Sequence, residues 1–288
     1  IQRLLKLLGP SLLGVAVYQI NIVVLRNLAS FMPSGQVTHY YNASRLSEFT
    51  LGIFAFALTT ASFPELSRHT ASENWEKIRS TLRFTISTTL LFVIPASVGL
   101  AFAAEPIVAM LYFHGAYAWS DVKSTSQTLQ AFALSMPAAA IIRLQTSMFY
   151  SLKNTRTPVQ VSLCSILLTG LLGWWLSQSL EILGLALGLA AGTWFQCGLL
   201  TLLLLKETEL RKRWFSLRSS LLYLLASSCM AGFTWFTSGY GIWEKGPFLF
   251  YNWLVFLSLL VGSAFLYVLL LSILREEQIL EIINRLRS

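Results

Sequence analysis

The chain alternates between long apolar runs and short polar breaks. Eight apolar segments stand out, at roughly 7–32, 36–64, 81–104, 125–150, 158–179, 182–205, 217–237 and 249–274. Each reaches the ~20 residues that a helix needs to cross the hydrocarbon core of a bilayer. A ninth run, Pro106 to Phe113, is too short to span and predicts an interfacial or re-entrant helix ending at Gly115. After Ile273 the pattern turns amphipathic, with Arg275, Glu276, Glu277, Glu281, Arg285 and Arg287 set around Ile279, Leu280, Ile283 and Leu286. That tail predicts a helix lying on the membrane surface. The fold class is an all-α polytopic membrane protein with eight transmembrane helices.

The breaks carry their own signals. Ser34, in Pro33-Ser34-Gly35, is placed to cap the second helix. Asn154-Thr155-Arg156-Thr157-Pro158 predicts a tight turn with Pro158 in the first turn of the next helix. Gly184, Gly188 and Gly192 recur every four residues, a ridge that lets helices pack closely and is read as packing without a transport role.

Composition agrees with the pattern: 55% of residues are hydrophobic and 12% charged, about half the charged share of a soluble domain. The formal net charge of +8 would suit nucleic acid only if the cations shared one exposed face, and they do not. Of the 21 Lys and Arg residues, Lys123 and Lys245 fall in loops on one side, and Arg26, Arg45 and Arg143 fall inside spans. All the others, from Arg3 and Lys6 to Arg285 and Arg287, fall on the opposite side. The positive-inside rule then puts both ends of the chain in the cytoplasm. Ile1 stands where a native start would have Met, so the sequence reads as part of a longer protein.

Catalytic and metal signals are lacking. Cys164, Cys197 and Cys229 sit in apolar segments with no CxxC spacing, as small lipid- or core-facing residues. His39, His69 and His114 are scattered, without HExxH or paired carboxylates, and Glu105 and Asp121 read as solvated loop acids. There is no Walker A motif. No enzyme activity, cofactor or metal is expected.

The polar residues inside the spans are the candidate chemistry, because charge there is expensive and marks a cavity, a partner or a substrate. Arg45 and Glu48 lie three residues apart on one helix face, with Tyr41 and Gly52 extending that face by a turn each way. They read either as a self-neutralising ion pair or as a functional constellation. Gln19 and Arg26 share a face of the first span while Asn21 points away; Arg26 either snorkels outward or lines a cavity. Arg143, near the turn at residues 152–157, poses the same choice inward. Arg45 lies too deep to snorkel readily. Three guanidiniums against one acid leave a net positive interior, suited to phosphate or diphosphate.

The residues also resemble a known family. Gly9-Pro10, Gln19-Ile20-Asn21, Leu28-Ala29-Ser30, Ala43-Ser44-Arg45-Leu46-Ser47-Glu48-Phe49, Leu51-Gly52-Ile53-Phe54, Pro64-Glu65-Leu66-Ser67-Arg68, Glu105-Pro106, Gly115-Ala116-Tyr117, Phe149-Tyr150-Ser151 and Thr155-Arg156-Thr157-Pro158 resemble the MurJ/MviN lipid II flippases. The motifs cover most of the first 160 residues; beyond them the likeness lies in the pattern of spans. The resemblance implies two six-helix lobes around a central cavity plus two additional C-terminal helices. The chain would then supply the second lobe (1–206), the extra pair (207–274) and an amphipathic cytoplasmic tail (275–288), with the N-terminal half of the transporter outside it. It implies alternating-access transfer of undecaprenyl-diphosphate-linked peptidoglycan precursor, lipid II, across the bacterial inner membrane. Cationic cavity residues would hold the diphosphate and a groove by the last two helices the lipid tail. Substrate-binding roles fall on Arg45, Glu48, Arg26, Arg143, Tyr41, Gln19 and Asn21.

The motif also departs from the family. Ser44 stands where members commonly have Asp, Thr50 replaces the motif's Pro, and Leu25 replaces an acid of the first span. No acid lies inside the fifth and sixth spans either, so a sodium site is not expected, and coupling to membrane potential or protons stays open. The alternatives are a related exporter of drugs or other lipid-linked oligosaccharides, or a membrane-embedded lipid-modifying enzyme.

Overall fold

The computed structural model describes Val23, Asn27, residues 35–207 and residues 217–274. The first span with Gln19, Asn21 and Arg26, the loop carrying Arg211, Lys212 and Arg213, and the tail 275–288 lie outside the described residues. What is described is helical: α1 (Gln36–Leu51), α2 (Ala57–Ala71), α3 (Trp75–Phe102), α4 (Ala104–Tyr112), α5 (Trp119–Ser151), α6 (Arg156–Glu207), α7 (Leu217–Ser238) and α8 (Phe250–Ile273). Five helical stretches, at 36–71, 75–102, 156–206, 218–238 and 250–273, are long and apolar enough to cross a membrane. Most of the observed helices outrun the expected apolar segments by a few residues, because a helix continues through the polar headgroup zone where the hydropathy signal stops.

Two helical rods are interrupted along their length. α1 and α2 form one rod joined by a π turn, Gly52–Phe56. α6 reverses at Glu181, whose φ of 49° and ψ of −130° are non-helical. Its two halves therefore form an antiparallel hairpin, matching the expected spans 158–179 and 182–205. A Cβ on Gly188 would fall 2.5 Å from the Gly173 backbone, and one on Gly184 would overlap the Leu176 carbonyl. The glycine ridge is thus the seam of the hairpin, which Ser165 tightens by donating to the Gly192 carbonyl at 2.8 Å.

α5 is the central post, packed by α1, α2, α3, α4 and α6. It is also comparatively polar for a helix of 33 residues, since neighbours rather than lipid cover most of it. Gln145, 1% exposed, donates to Thr201 at 2.6 Å and ties α5 to the second half of α6. Gln130 donates to the Ala101 carbonyl at the end of α3 at 3.1 Å, satisfying one of the acceptors a helix C-terminus leaves open. α7 and α8 pair with each other and dock on α3, where the Tyr267 hydroxyl donates to the Leu91 carbonyl at 2.8 Å. In an apolar solvent such bonds, with small-residue contacts, hold helices together.

Basic residues gather at one end of this bundle: Arg68, Lys77, Arg79, Arg83, Lys153, Arg156, Lys206 and Arg218 border the turns there. Asn154 organises one of these turns, accepting from the Thr157 amide at 3.1 Å, with Pro158 in the first turn of α6 as expected.

The opposite end corrects one expectation and sharpens another. The cap of α1 is Gly35, whose φ of 97° favours glycine, and not Ser34, which lies outside the described residues. The short run at 104–112, expected as an interfacial or re-entrant helix, is packed inside the bundle. Six of its residues, Ala104, Pro106, Ile107, Val108, Ala109 and Met110, are buried, because α5 and the 3-10 turn Trp243–Phe248 enclose it.

That turn hangs on Asn252, which is fully buried. Its Oδ1 accepts from the Ile242 amide at 2.9 Å, and its Nδ2 donates to the carbonyls of Ile242 and Gly246, both at 2.8 Å. Asn252→Leu keeps the volume but strands two backbone groups, the Ile242 amide and the Gly246 carbonyl, each at a cost of roughly 1–3 kcal/mol, while the Ile242 carbonyl keeps the Lys245 amide as donor. We expect the thermal unfolding midpoint in detergent to fall by several degrees. An unchanged midpoint would mean the turn is organised without Asn252.

Candidate functional site

α1 has two faces. His39, Ala43, Ser47 and Leu51 are buried at four-residue steps, continued past the π turn by Thr59. The other side displays Arg45, Glu48, Phe49, Ile53 and Phe56 to the exterior of the described bundle. Tyr41 and Gly52 lie along the same side, Tyr41 half-buried.

The ion pairs among the described residues join His39 to Asp121 and His69 to Glu65, each at 3.4 Å. Arg45–Glu48 is not one of them, so the self-neutralising pair is not formed. Arg45 instead lies within electrostatic reach of Tyr112, at the end of α4. Burial raises the pKa of that phenol, the Tyr117 phenol raises it further, and the guanidinium pulls it back down. Of the three departures from the motif, Leu25 lies outside the described residues, and the two on α1 are neutral and locally satisfied: Ser44 donates to the Tyr41 carbonyl at 3.0 Å and Thr50 to that of Leu46 at 3.0 Å.

His39 anchors the start of this helix. Its Nδ1 lies 3.2 Å from the Thr125 hydroxyl and 3.5 Å from that of Tyr117, and these two hydroxyls also touch each other. Its Nε2 faces Asp121, which also caps α5 by accepting from the Ala118 amide at 2.7 Å. Asp121 is therefore not the solvated loop acid expected, nor is His39 an isolated histidine. The two are 82 positions apart, and no spacing rule could have joined them.

The remaining candidates separate. Arg143 is exposed, on α5, toward the basic end, beside a cleft of about 400 Å³ between α5 and α2. The α2 wall of that cleft includes Thr59, fourteen residues past Arg45 on the same rod, about 21 Å further along at 1.5 Å per residue. Arg45 and Arg143 do not form one site. A second hollow of about 530 Å³ lies where α7 and α8 meet α3 and the π turn, lined by Phe54, Phe92, Gly99, Met230, Leu260 and Tyr267 among others. It is almost wholly apolar. Sequence reasoning on spans could not locate it, since it forms between helices far apart in the chain. Among the described residues no His, Cys, Asp and Glu cluster could hold a metal.

An all-helical bundle of membrane length, with ionisable side chains displayed on one helix at depth and an apolar hollow alongside, defines a polytopic α-helical membrane protein. The chain belongs to the lipid II flippase MurJ family, whose model matches residues 1–268. It is 28% identical to the probable lipid II flippase MurJ of Haemophilus influenzae over 292 residues, covering 97% of this chain and 56% of the relative. It is 31% identical to that of Vibrio cholerae over 176 residues, covering 60% of this chain and 34% of the relative. Among solved structures, a lipid II flippase MurJ in an inward closed conformation superposes with a TM-score of 0.80 at 26% identity, covering 96% of this chain and 55% of that one. The chain thus spans about half the length of the relatives it matches most fully.

Proposed function

We propose that the protein carrying this chain moves lipid II from the inner to the outer leaflet of the bacterial inner membrane by alternating access. In this reading it is a transporter, not an enzyme. The chain supplies the second six-helix lobe at 1–206, two further helices at 207–274 and a cytoplasmic tail at 275–288. The basic end of the bundle faces the cytoplasm, as the positive-inside rule requires. The observation that carries the reading is Arg45. It is a guanidinium about 14 Å down a membrane helix, on the face that the rest of the described bundle leaves open. A diphosphate is the ligand its fork geometry suits, with Glu48, Tyr41 and, from the first span, Arg26, Gln19 and Asn21 as further contacts. The apolar hollow beside α7 and α8 suits the polyprenyl tail.

The test is transfer of fluorescently labelled lipid II in liposomes containing the intact protein. Protection of the label from an external quencher must change with time and must not do so for a drug-like cation. If a cation is exported and lipid II is not, the reading fails in favour of a drug exporter. The groove has its own check. Ala264, exposed on its wall, becomes an obstruction in Ala264→Trp. We expect transfer to slow several-fold with the unfolding midpoint retained; unaltered transfer would place the tail elsewhere.

A further inference from the structure

The rod formed by α1 and α2 is pinned at both ends and weak in the middle. At the start of α1, His39 lies 3.4 Å from Asp121 and 3.2 Å from the Thr125 hydroxyl, both on α5. Toward the end of α2, Thr70 pairs with Ser151 of α5 at 3.1 Å, and Ser62 with Thr85 of α3 at 2.8 Å. Between these pins stands the π turn Gly52–Phe56, where the backbone ladder is shifted by one residue. An added Cβ on Gly52 would meet nothing within 4 Å, so the joint has room to move. Arg45 lies on the arm between His39 and this joint, six residues from the first and seven from Gly52.

The joint is also a wall of the apolar hollow. Thr50 and Phe54 border the hollow from the rod, Phe92 and Pro95 from α3, and Tyr267 from α8. The Phe54 and Phe92 rings stack there, with centroids 5.4 Å apart and planes 6° from parallel. Pro95 has no amide to offer the Leu91 carbonyl four residues earlier, which weakens α3 beside the stack. The Tyr267 hydroxyl takes that carbonyl instead, at 2.8 Å. Thr50, Thr234 and Ser263 likewise donate to helix carbonyls, those of Leu46, Met230 and Leu259. Every hydroxyl on the wall is thus already spent, which suits an apolar occupant, and two of the helices behind it are compliant.

We infer that Phe54 and Phe92 are positioning residues: their stack carries the filling of the hollow, through the π turn, to the arm that holds Arg45. The shape of the hollow depends on where its two compliant walls stand, so a chain inside it favours one setting of the joint over another. With both ends of the rod pinned, the displacement falls on the middle, and the arm carrying Arg45 tilts about His39. The coupling is reciprocal, so a ligand on Arg45 changes the affinity of the hollow for its chain by the same factor. This rests on the reading that one lipid-linked diphosphate places its chain in the hollow and its head at Arg45. It adds that the two ends of the cargo are sensed together. A chain without a diphosphate, or a diphosphate without a chain, is discriminated against, because neither alone gains the coupling.

The test uses the intact protein in phosphatidylcholine nanodiscs, with exposed cysteines, Cys164 and Cys229 among them, replaced by serine. Spin labels stand at position 49 on the arm and position 127 on α5, both exposed. Undecaprenol, a chain without phosphate, probes the hollow, and inorganic pyrophosphate, added to unlabelled protein, probes Arg45. Undecaprenol shifts the distance between the labels by a few ångströms and tightens pyrophosphate binding about fivefold, the lower end of typical coupling between sites. Phe54→Leu and Phe92→Leu keep the wall apolar and the unfolding midpoint of the parent, yet each loses the distance shift and the tightening. Ala264→Trp, which obstructs the hollow, loses both as well. A distance that undecaprenol does not move in the parent, or moves equally in Phe54→Leu, overturns the coupling. So does a Phe54→Leu form that weakens pyrophosphate binding equally with and without undecaprenol, since that is the mark of a structural role alone. If the distance shifts but Arg45→Gln leaves pyrophosphate binding unchanged, the role of Arg45 fails and the joint stands, so the two failures are read separately.

Discussion

Cells depleted of their own lipid II flippase fail to grow when rescued with the Arg45→Ala form of the intact protein, and grow partially with Arg45→Lys. The expectation follows from depth and exposure. Arg45 lies too deep along its helix to snorkel readily to an interface, so its charge stays in the membrane for a ligand or partner. The ion pair that would have neutralised it, with Glu48, is not formed. Loss of a bidentate guanidinium–phosphate contact removes two hydrogen bonds of about 1.5–3 kcal/mol each, or roughly 100-fold or more in affinity. Lysine keeps the charge but not the fork, which is why it retains only part. Growth of Arg45→Ala cells at the parental rate and expression level would remove Arg45 from the transport path.

The largest structural effect is expected at the α6 seam. Gly188→Leu inserts a branched side chain where even a Cβ would sit 2.5 Å from the Gly173 Cα and amide nitrogen, both backbone atoms that cannot rotate away. The two halves of the hairpin must separate, breaking the Ser165–Gly192 bond and the contacts along the seam. Overpacking of this kind costs about 1–3 kcal/mol in soluble cores for a single methylene or two, and a leucine adds more. We expect little folded protein after detergent extraction, measured by size-exclusion profile. Gly198→Leu on the same half-helix, where an added Cβ meets nothing within 4 Å, serves as the control and should extract normally. Equal yields for the two variants would show that the seam tolerates a wider spacing.

These two sites mark how far the sequence could be read. Gly184, Gly188 and Gly192 announced a close contact without naming what would press against it, because a four-residue period specifies a face and not its neighbour. Arg45 announced itself as a charge in hydrocarbon, and its depth followed from the rise of a helix. Arg143 left a choice between snorkelling and lining a cavity that its own segment could not resolve, and its place beside a cleft between α5 and α2 came only from the packing of those helices. His39 and Asp121 gave no signal at all. Each is unremarkable in its own segment, and only the packing of α1 on α5 joins them.

By itself the sequence determined the all-helical membrane class, the number and order of the spans among the described residues, and the single basic end. It did so because the bilayer imposes a length of apolar chain and the positive-inside rule imposes a charge bias, and both are local, additive properties. Only the tertiary structure decided which helix stands at the centre, that the 104–112 helix is buried, and that a π turn divides the rod carrying Arg45. It also placed an apolar hollow by α7 and α8 and a cleft by Arg143. Those depend on contacts between residues tens to hundreds of positions apart, which no periodicity encodes.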